Sequence, residues 1–141
     1  MNTNIEIVTN KAPEPVGAYP HARRVGDLLF LSGVGPRKPN TKKIPGVELD
    51  AEGNILSYDI ITQTESVVEN VKIILEASQL TLHDVVDVQV FLTNMKADFK
   101  NYNEVYAKHF TTVGATRTTI EVGSLPTPIA VEFKVIAAYK K

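Results

Sequence analysis

The chain has 141 residues, and its 15 lysine and arginine residues against 16 aspartate and glutamate residues give a net charge of −1. This length predicts one domain, which we assign to residues 1–141. The balanced charge argues against nucleic acid as the main ligand, because phosphate binding needs clustered cations. The absence of cysteine excludes disulfides, thiol nucleophiles and cysteine-ligated metals.

The first third of the chain predicts short strands around a loop. Residues 5–8 alternate weakly between apolar and polar, as an edge strand does, and the proline-rich residues 10–20 predict a loop. Residues 23–33 predict a hairpin whose two arms meet at a tight turn formed by Gly26 and Asp27. The second arm is nearly all apolar, which favours a central strand in the sheet.

A long connection and a long helix follow. We assign an inserted loop to residues 35–57, which contain three prolines and show no strong period. A small surface hairpin around residues 51–53 fits the middle of this loop. Residues 58–78 then predict a helix, because apolar side chains recur at three- and four-residue steps, and either Ser57 or Asp59 is placed to cap its start.

Residues 85–92 predict a strand with two distinct faces. Asp87 and Gln89 are predicted to point to one side of the sheet. The other side is predicted to be apolar and to consist of Val86, Val88, Val90 and Leu92. One face of the sheet is therefore predicted to be wet or to lie in an interface.

The last elements determine the fold class. Residues 97–110 predict a helix with an aromatic stripe, and residues 117–122 and 130–139 predict two strands. Mixed strands with two helices predict an α+β fold, in which both helices pack on one face of a mixed β-sheet. A chain this short has little left to cover the other face, and a second copy of the chain is the simplest cover.

Neither export nor membrane insertion is predicted. The N-terminus lacks a basic stretch followed by an apolar one, so we expect no signal peptide. The longest apolar runs, such as residues 28–31, are far shorter than the ~20 residues that a spanning helix needs. We therefore expect a cytoplasmic protein with neither a membrane nor a nucleic acid as partner.

Several familiar site types do not fit the spacing of the residues. The three histidines, His21, His83 and His109, form no HxH or HxxxH pair, so we predict no metal site and interpret them as surface or capping residues. Residues 33–36 lack the third glycine of a dinucleotide fingerprint. Ser32 has no GxSxG elbow of a serine hydrolase around it.

Three polar residues in the second half of the chain are candidates for chemistry, and each has a plainer alternative. Arg117 opens a strand, where it is either solvated or placed to hold a carboxylate in a bidentate fork. Glu132 alternates with apolar residues and either belongs to the polar face of a strand or orients a water molecule. Asn103 lies beside the aromatic stripe and is either exposed or offers its amide to a ligand.

Five segments taken together are diagnostic, and they occur in order over nearly the whole chain: residues 12–19, 29–33, 70–77, 117–126 and 131–137. The signature R-x-x-x-E-V-x-x-L-P, which begins at Arg117, is specific. These segments resemble the RidA/YjgF family of enamine/imine deaminases. The resemblance implies a chorismate-mutase-like α+β fold and a homotrimer with active sites between subunits; whether trimers pair into hexamers stays open.

The resemblance also assigns roles to individual residues. It implies that Arg117 binds the substrate carboxylate and that Glu132 positions the attacking water. It places the remaining substrate-binding positions at Tyr19, Ser32, Gly33, Asn103 and Thr119. The position of Thr119 is often cysteine in the family, so no thiol chemistry is expected there. The implied substrate is an anionic enamine or imine, and no metal or organic cofactor is needed because the imine carbon is already electrophilic.

Within the family, the chain looks most like the 2-aminomuconate deaminase branch, which acts in the degradation of aromatic compounds. The segments that suggest this branch are residues 32–37, 44–47 and 58–60, which flank the inserted loop. A 2-aminomuconate substrate would carry a second carboxylate at its far end. Arg37 or Lys38 is placed to meet that group, and ordinary solvated loop charge is the alternative for both.

Three functions remain open at this point. The first is a 2-aminomuconate deaminase, the second a general deaminase of 2-aminoacrylate and similar imines, and the third a ligand-binding trimer without enzymatic activity. The presence of both Arg117 and Glu132 argues against the third, and the inserted loop favours the first. A ribonuclease or translation-inhibitor role finds no support in the charge balance.

Overall fold

A computed structural model describes residues 3–139 of the chain. Within this part, eight strands and two α-helices follow one another, and a single 3₁₀ turn, Leu82–Asp84, precedes the sixth strand. The elements are β1 Asn4–Ile7, β2 Ala22–Val25, β3 Leu28–Leu31, β4 Val47–Leu49, β5 Ile55–Tyr58, α1 Ile60–Ala77, β6 Val85–Leu92, α2 Met95–Phe110, β7 Thr116–Glu121 and β8 Val131–Ala138.

A six-stranded sheet in the order β1-β2-β3-β8-β6-β7 organises the molecule. Strands β6 and β7 run parallel and every other neighbouring pair in this sheet is antiparallel, while β4 and β5 form a separate two-stranded sheet. The two helices contact each other, and α1 packs on β8 while α2 packs on β6. The α+β architecture with a mixed sheet and two helices on one face is therefore confirmed.

The core fills the space between the helices and one sheet face. Strand β8 alternates between fully buried and half-buried residues along its whole length, which shows that only one of its faces meets the helices. The buried sheet residues include Leu29, Leu31, Val88, Val90, Leu92, Val131, Phe133, Val135 and Ala137. The opposite face is covered by no element of this chain within residues 3–139, and it exposes apolar residues such as Leu28 and Ile120.

Helix α1 begins where an aspartate can satisfy its first free amide groups. The Asp59 carboxylate accepts hydrogen bonds from the backbone N–H groups of Ile61 and Thr62, so Asp59 is the cap, whereas Ser57 belongs to β5. The inserted loop approaches this point at Gly46, which has φ +67° and accepts a hydrogen bond from the Asp59 amide. A Cβ at Gly46 would lie 3.0 Å from Thr62, so the approach requires glycine.

Helix α2 begins at Met95, two residues before the predicted start. The Asn94 side chain caps it by accepting a hydrogen bond from the Ala97 amide, and Met95 and Lys96 complete its first turn. The predicted aromatic stripe is present. Its buried members Tyr102, Tyr106 and Phe110 surround Phe133 on β8, with ring centroids 6.2–6.4 Å from the Phe133 ring.

The prediction for Val86 on β6 was wrong. Val86 is 43% exposed, whereas Val85 is buried in the core. The cause is an irregularity in the pairing of β6 with β8, where Val85 lies opposite Ala137 and Asp87 lies opposite Ile136, so that one extra residue shifts the alternation. Val88, Val90 and Leu92 lie on the buried face as predicted.

Candidate functional site

Arg117 lies in a cluster of polar and aromatic side chains between β7 and α2. Its Nη1 donates a hydrogen bond of 2.6 Å to the side-chain oxygen of Asn103 on α2. Its guanidinium carbon lies 4.6 Å from the ring centroid of Tyr106 and 5.5 Å from that of Tyr102. Amide and aromatic faces therefore fix the guanidinium while its other N–H groups remain able to bind a carboxylate.

Thr119 lies two residues after Arg117 on β7, on the same face of the strand, and belongs to the same cluster. Its hydroxyl lies 2.8 Å from the Tyr102 hydroxyl, and the two groups form a hydrogen bond. Burial raises the pKa of Tyr102, and burial also raises the pKa of Tyr106 to about 12, so both phenols stay neutral at physiological pH. We call Arg117, Asn103, Thr119, Tyr102 and Tyr106 the arginine cluster.

Glu132 stands on the other face of the same sheet. Arg117 lies opposite Val88, which is fully buried against the helices, so the arginine shares the helix-covered face. Glu132 lies between Val131 and Phe133, both fully buried on that face, and alternation turns its side chain the other way. Within one chain, the sheet therefore separates Glu132 from the arginine cluster.

A cavity of about 150 Å³ lies beside Glu132. Its lining brings together five of the residues that the sequence predicted for the site: Tyr19, Ser32, Gly33, Arg37 and Glu132. Two further walls come from the segments 13–16 and 126–129. Typical small-molecule pockets measure about 300–1,000 Å³, so this cavity has the size of one part of a site rather than of a complete enclosure.

The Glu132 carboxyl group lies directly over Gly33. A Cβ added to Gly33 would lie 2.5 Å from Glu132 Oε2, so the absence of a side chain at this position makes room for the carboxylate. Within residues 3–139, no group donates a hydrogen bond to this carboxylate, and burial raises the pKa of Glu132 above its usual range. A carboxylate in this state is a stronger base than a solvated one.

Tyr19 and Ser32 line another part of the cavity. The Tyr19 hydroxyl accepts a hydrogen bond from the Val16 amide, which folds segment 13–19 on itself. The Ser32 hydroxyl donates a hydrogen bond of 2.8 Å to the Pro20 carbonyl, and the Ser32 amide donates to the His21 carbonyl. The serine proton is thus engaged in holding the loop, and Ser32 also lines the cavity.

Arg37 reaches the cavity because α1 holds the loop that carries it. The Asn70 side-chain amide donates to the carbonyls of Gly35 and Arg37, and the Ser66 hydroxyl donates to the Pro36 carbonyl. Arg37 Nη2 donates to the Glu14 carbonyl on the opposite wall. Lys38 is exposed and does not line the cavity, so of the two predicted loop cations only Arg37 faces it.

The sequence interpretation missed His21. It was expected to be a surface or capping residue, but its side chain is 5% exposed and lines the cavity. Its partners are backbone groups of Thr9 and Pro13 in an irregular loop, and no periodic pattern reports such contacts. His83 is exposed as expected, and His109 pairs with Glu65 on the surface between the helices.

The described part of the chain shows neither a metal-binding cluster nor a membrane-spanning helix. Among residues 3–139, no three histidine, aspartate or glutamate side chains lie close enough together to hold a metal ion. In the same part of the chain, none of the helices combines the length and the apolar character needed to cross a membrane.

Known proteins place these features in one family. The chain matches the Endoribonuclease L-PSP family over residues 9–139. It is 40% identical over 131 residues to the RutC family protein SSO3206 of Saccharolobus solfataricus, covering 93% of this chain and 94% of that protein. The chain belongs to this family. It is also 36% identical over 131 residues to the chloroplastic Reactive Intermediate Deaminase A of Arabidopsis thaliana, covering 93% of this chain and 64% of that protein.

Solved structures support the same assignment. The crystal structure of the E. coli YjgF gene product superimposes with a TM-score of 0.80 at 30% identity, covering 96% of this chain and 99% of that one. The structure of E. coli TdcF with bound serine gives a TM-score of 0.81 at 32% identity, covering 96% and 99% of the two chains. The resemblance to the RidA/YjgF family is therefore confirmed.

Proposed function

We propose that this chain hydrolyses 2-amino enoates, through their imine tautomers, to 2-oxo acids and ammonia. The observation that carries the proposal is the Glu132 carboxylate, which is half-buried at a cavity wall without a hydrogen-bond donor, so that burial raises its pKa. Such a group is suited to take a proton from water. The Arabidopsis relative named a reactive intermediate deaminase, and the TdcF structure with bound serine, support a small amino-acid-derived substrate.

The reaction needs only groups that the chain provides. A proton from solvent adds to the β-carbon of the enamine and gives the iminium form, and the guanidinium of Arg117 holds the adjacent carboxylate. Glu132 accepts a proton from water as the water oxygen bonds to the imine carbon, giving a carbinolamine. Glu132 returns its proton to the nitrogen, the carbon–nitrogen bond breaks as ammonia leaves, and the hydroxyl proton is lost to solvent as the oxygen becomes the carbonyl of the 2-oxo acid.

Two subunits are needed to assemble this site. Because the sheet separates Arg117 from Glu132 within one chain, the arginine cluster must meet the cavity of a neighbouring copy. Homotrimers are typical of RidA/YjgF proteins, and the uncovered sheet face supplies the surface on which copies can pack. The cavity of about 150 Å³ is then one wall of the site, and the arginine cluster of the partner is the other.

The test of the activity is ammonia release from freshly generated 2-iminopropionate and 2-aminomuconate. Loss of the carboxylate fork in Arg117→Ala is expected to lower kcat/KM by about 10²-fold or more on both substrates, because orientation of the reacting carbon is lost. Near-normal turnover by Arg117→Ala would contradict the proposal. Tight binding of a 2-oxo acid without any ammonia release would favour the non-enzymatic trimer instead.

For the substrate, we propose 2-aminomuconate rather than a short monocarboxylic enamine. The support is Arg37, which lines the same cavity as Glu132 and Tyr19 and uses only part of its donor set on the Glu14 carbonyl. A second carboxylate at the far end of a six-carbon substrate would bind to the remaining N–H groups. A general 2-imino acid deaminase is the alternative, in which Arg37 only supports the Glu14 loop.

Arg37→Ala separates these two substrate classes. If the second carboxylate binds Arg37, kcat/KM for 2-aminomuconate falls about 10- to 100-fold while kcat/KM for 2-iminopropionate changes little. Lys38→Ala is the matched control, since Lys38 is the neighbouring cation that does not line the cavity. If Arg37→Ala lowers kcat/KM equally for both substrates, the general 2-imino acid deaminase is the function.

A further inference from the structure

His21 is a buried imidazole whose two ring nitrogens both bind the backbone of one loop. Nε2 lies 2.8 Å from the Pro13 carbonyl oxygen, and Nδ1 lies 3.3 Å from the Thr9 amide nitrogen. A carbonyl can only accept and an amide N–H can only donate, so Nε2 must carry the proton and Nδ1 must be bare. The contacts therefore select one neutral tautomer of the ring.

These contacts hold both ends of the segment 9–13, which leads into the wall of the cavity. The backbone of His21 is itself fixed, because its N–H donates to the Ile7 carbonyl and its carbonyl accepts from the Ser32 amide. The ring thus fixes segment 9–13 relative to the main sheet, although this segment pairs with no strand. Segment 13–19, which carries Tyr19, continues directly from the point where Nε2 binds Pro13.

The wall that His21 supports divides two concave surfaces. On one side is the cavity beside Glu132, and on the other is a wider groove of about 720 Å³. Residues that line both are Glu14, Pro15, Tyr19, His21 and Arg37. A shift of this thin wall would change the shape of the substrate cavity without moving Glu132 on β8.

We propose that neutral His21 is a positioning residue for substrate binding. It fixes segment 9–13, and through it the Tyr19 wall, and its protonation releases them. In the protonated ring, Nδ1–H would face the Thr9 N–H, so two donors would meet and the loop would have to move. This inference rests on the proposed deaminase function for its effect on catalysis, but the loop itself can be observed without turnover.

Other charged groups lie near the loop, and their effects have to be separated from that of His21. Glu14 and Arg37 lie on the wall, Lys11 is exposed in the segment that His21 holds, and Glu132 faces the wall across the cavity. Burial raises the pKa of the Glu132 carboxyl group, so its titration can overlap with that of a histidine on acidification. A comparison of variants that all retain Glu132 removes this overlap.

The experiment compares wild type with His21→Gln and the control His83→Gln between pH 8 and pH 5.5. Glutamine can donate to the Pro13 carbonyl and accept from the Thr9 amide without titrating. In wild type and in the control, we expect ¹⁵N shifts of an Nε2–H tautomer at pH 8 and a roughly tenfold loss of hydrogen-exchange protection at the Thr9 amide on acidification. In His21→Gln, protection at Thr9 should stay constant.

Steady-state kinetics then test the link to the substrate. The KM for 2-iminopropionate is expected to rise about fivefold in wild type over the same pH change and not in His21→Gln, while kcat follows the same profile in both. A parallel loss of Thr9 protection in both proteins, an Nδ1–H tautomer, or an equal rise of KM in both would overturn the inference. If the wild-type protein releases no ammonia at all, the proposed deaminase function is wrong. The hydrogen-exchange result then still decides whether His21 holds the loop.

Discussion

At the scale of single residues, the position of the Glu132 carboxylate depends on Gly33. A carboxylate on the exposed side of a strand would normally be solvated, yet Glu132 is buried enough to raise its pKa. It reaches this position because Gly33 presents only backbone beneath it, with room for a carboxylate oxygen where a Cβ would stand. The basicity of Glu132 therefore depends on a neighbour that has no side chain.

Gly33→Ala is expected to displace the Glu132 carboxylate and lower kcat. The added Cβ would lie 2.5 Å from Oε2, so the flexible glutamate side chain must swing away from its place over the strand end. We predict a fall in kcat of about 10²-fold, in the range for loss of a positioned general base, with little change in thermal stability. Ammonia-release kinetics with differential scanning calorimetry would measure both.

Gly123→Ala is the matched control for this substitution. A Cβ at Gly123 would meet no heavy atom within 4 Å, so neither kcat nor the unfolding temperature should change appreciably. Unchanged kcat in Gly33→Ala would show that the position of the Glu132 carboxylate over Gly33 has no role in turnover.

The features predicted from the sequence and those observed in the structure differ most at the level of individual residues. The resemblance named Arg117, Asn103 and Thr119 one by one, and the register of β7 explains why Arg117 and Thr119, two residues apart, share a face. The hydrogen bond from Arg117 to Asn103 joins residues on two elements, so no local pattern could show it. His21 was misjudged for the same reason, because its partners lie in a loop without a period.

At the scale of elements, the periodic parts of the sequence predicted well and the irregular parts did not. Helix α1 and strand β8 repeat apolar residues at their own periods over 18 and 8 residues, so their existence and buried faces follow from pattern alone. The side of Val86 depends on one extra residue in the pairing of β6, which arises from the partner strand rather than from β6 itself. The start of α2 was placed late because Met95 and Lys96 precede the aromatic stripe.

A part-buried hydrogen bond connects the inserted hairpin to α2. The Tyr58 hydroxyl at the end of β5 donates to Asp98 Oδ2 over 2.5 Å. Burial raises the pKa of Asp98 and raises the pKa of Tyr58 to about 12, so at neutral pH an ionised carboxylate depends on a neutral phenol. This bond connects the loop region that carries Arg37 to the helix that carries Asn103.

Tyr58→Phe is expected to lower the free energy of unfolding by about 1–3 kcal/mol at pH 7, because it leaves a buried carboxylate without this donor. The pKa of Asp98 is higher in the folded than in the unfolded state, so stability is lost as the pH rises through the folded-state pKa. Removal of the Tyr58 donor raises the folded-state pKa of Asp98 further. The deficit of the variant should therefore shrink as the pH falls toward 4 and Asp98 becomes protonated. Urea denaturation at several pH values measures it, and a deficit independent of pH would contradict this role of Asp98.

At the scale of the whole molecule, the six-stranded sheet separates two groups of candidate site residues. One face carries the core, the helices and the arginine cluster, and the other carries Glu132 and exposed apolar residues such as Leu28. A net charge of −1 supplies no general attraction for anions or for nucleic acid, so we expect the proposed carboxylate substrate to be held by Arg117 and Arg37 at close range. The same balance argues against RNA as the substrate, despite the description that the family carries.

The most direct test of the central claim mixes two inactive variants, Arg117→Ala and Glu132→Gln, after joint unfolding and refolding. If each site takes Arg117 from one subunit and Glu132 from the next, random trimers regain intact sites, and ammonia release should return to about a quarter of the wild-type rate. Each variant refolded alone is the control and should stay inactive. A mixture that remains as inactive as its two components would contradict a site assembled from Arg117 and Glu132 of different subunits.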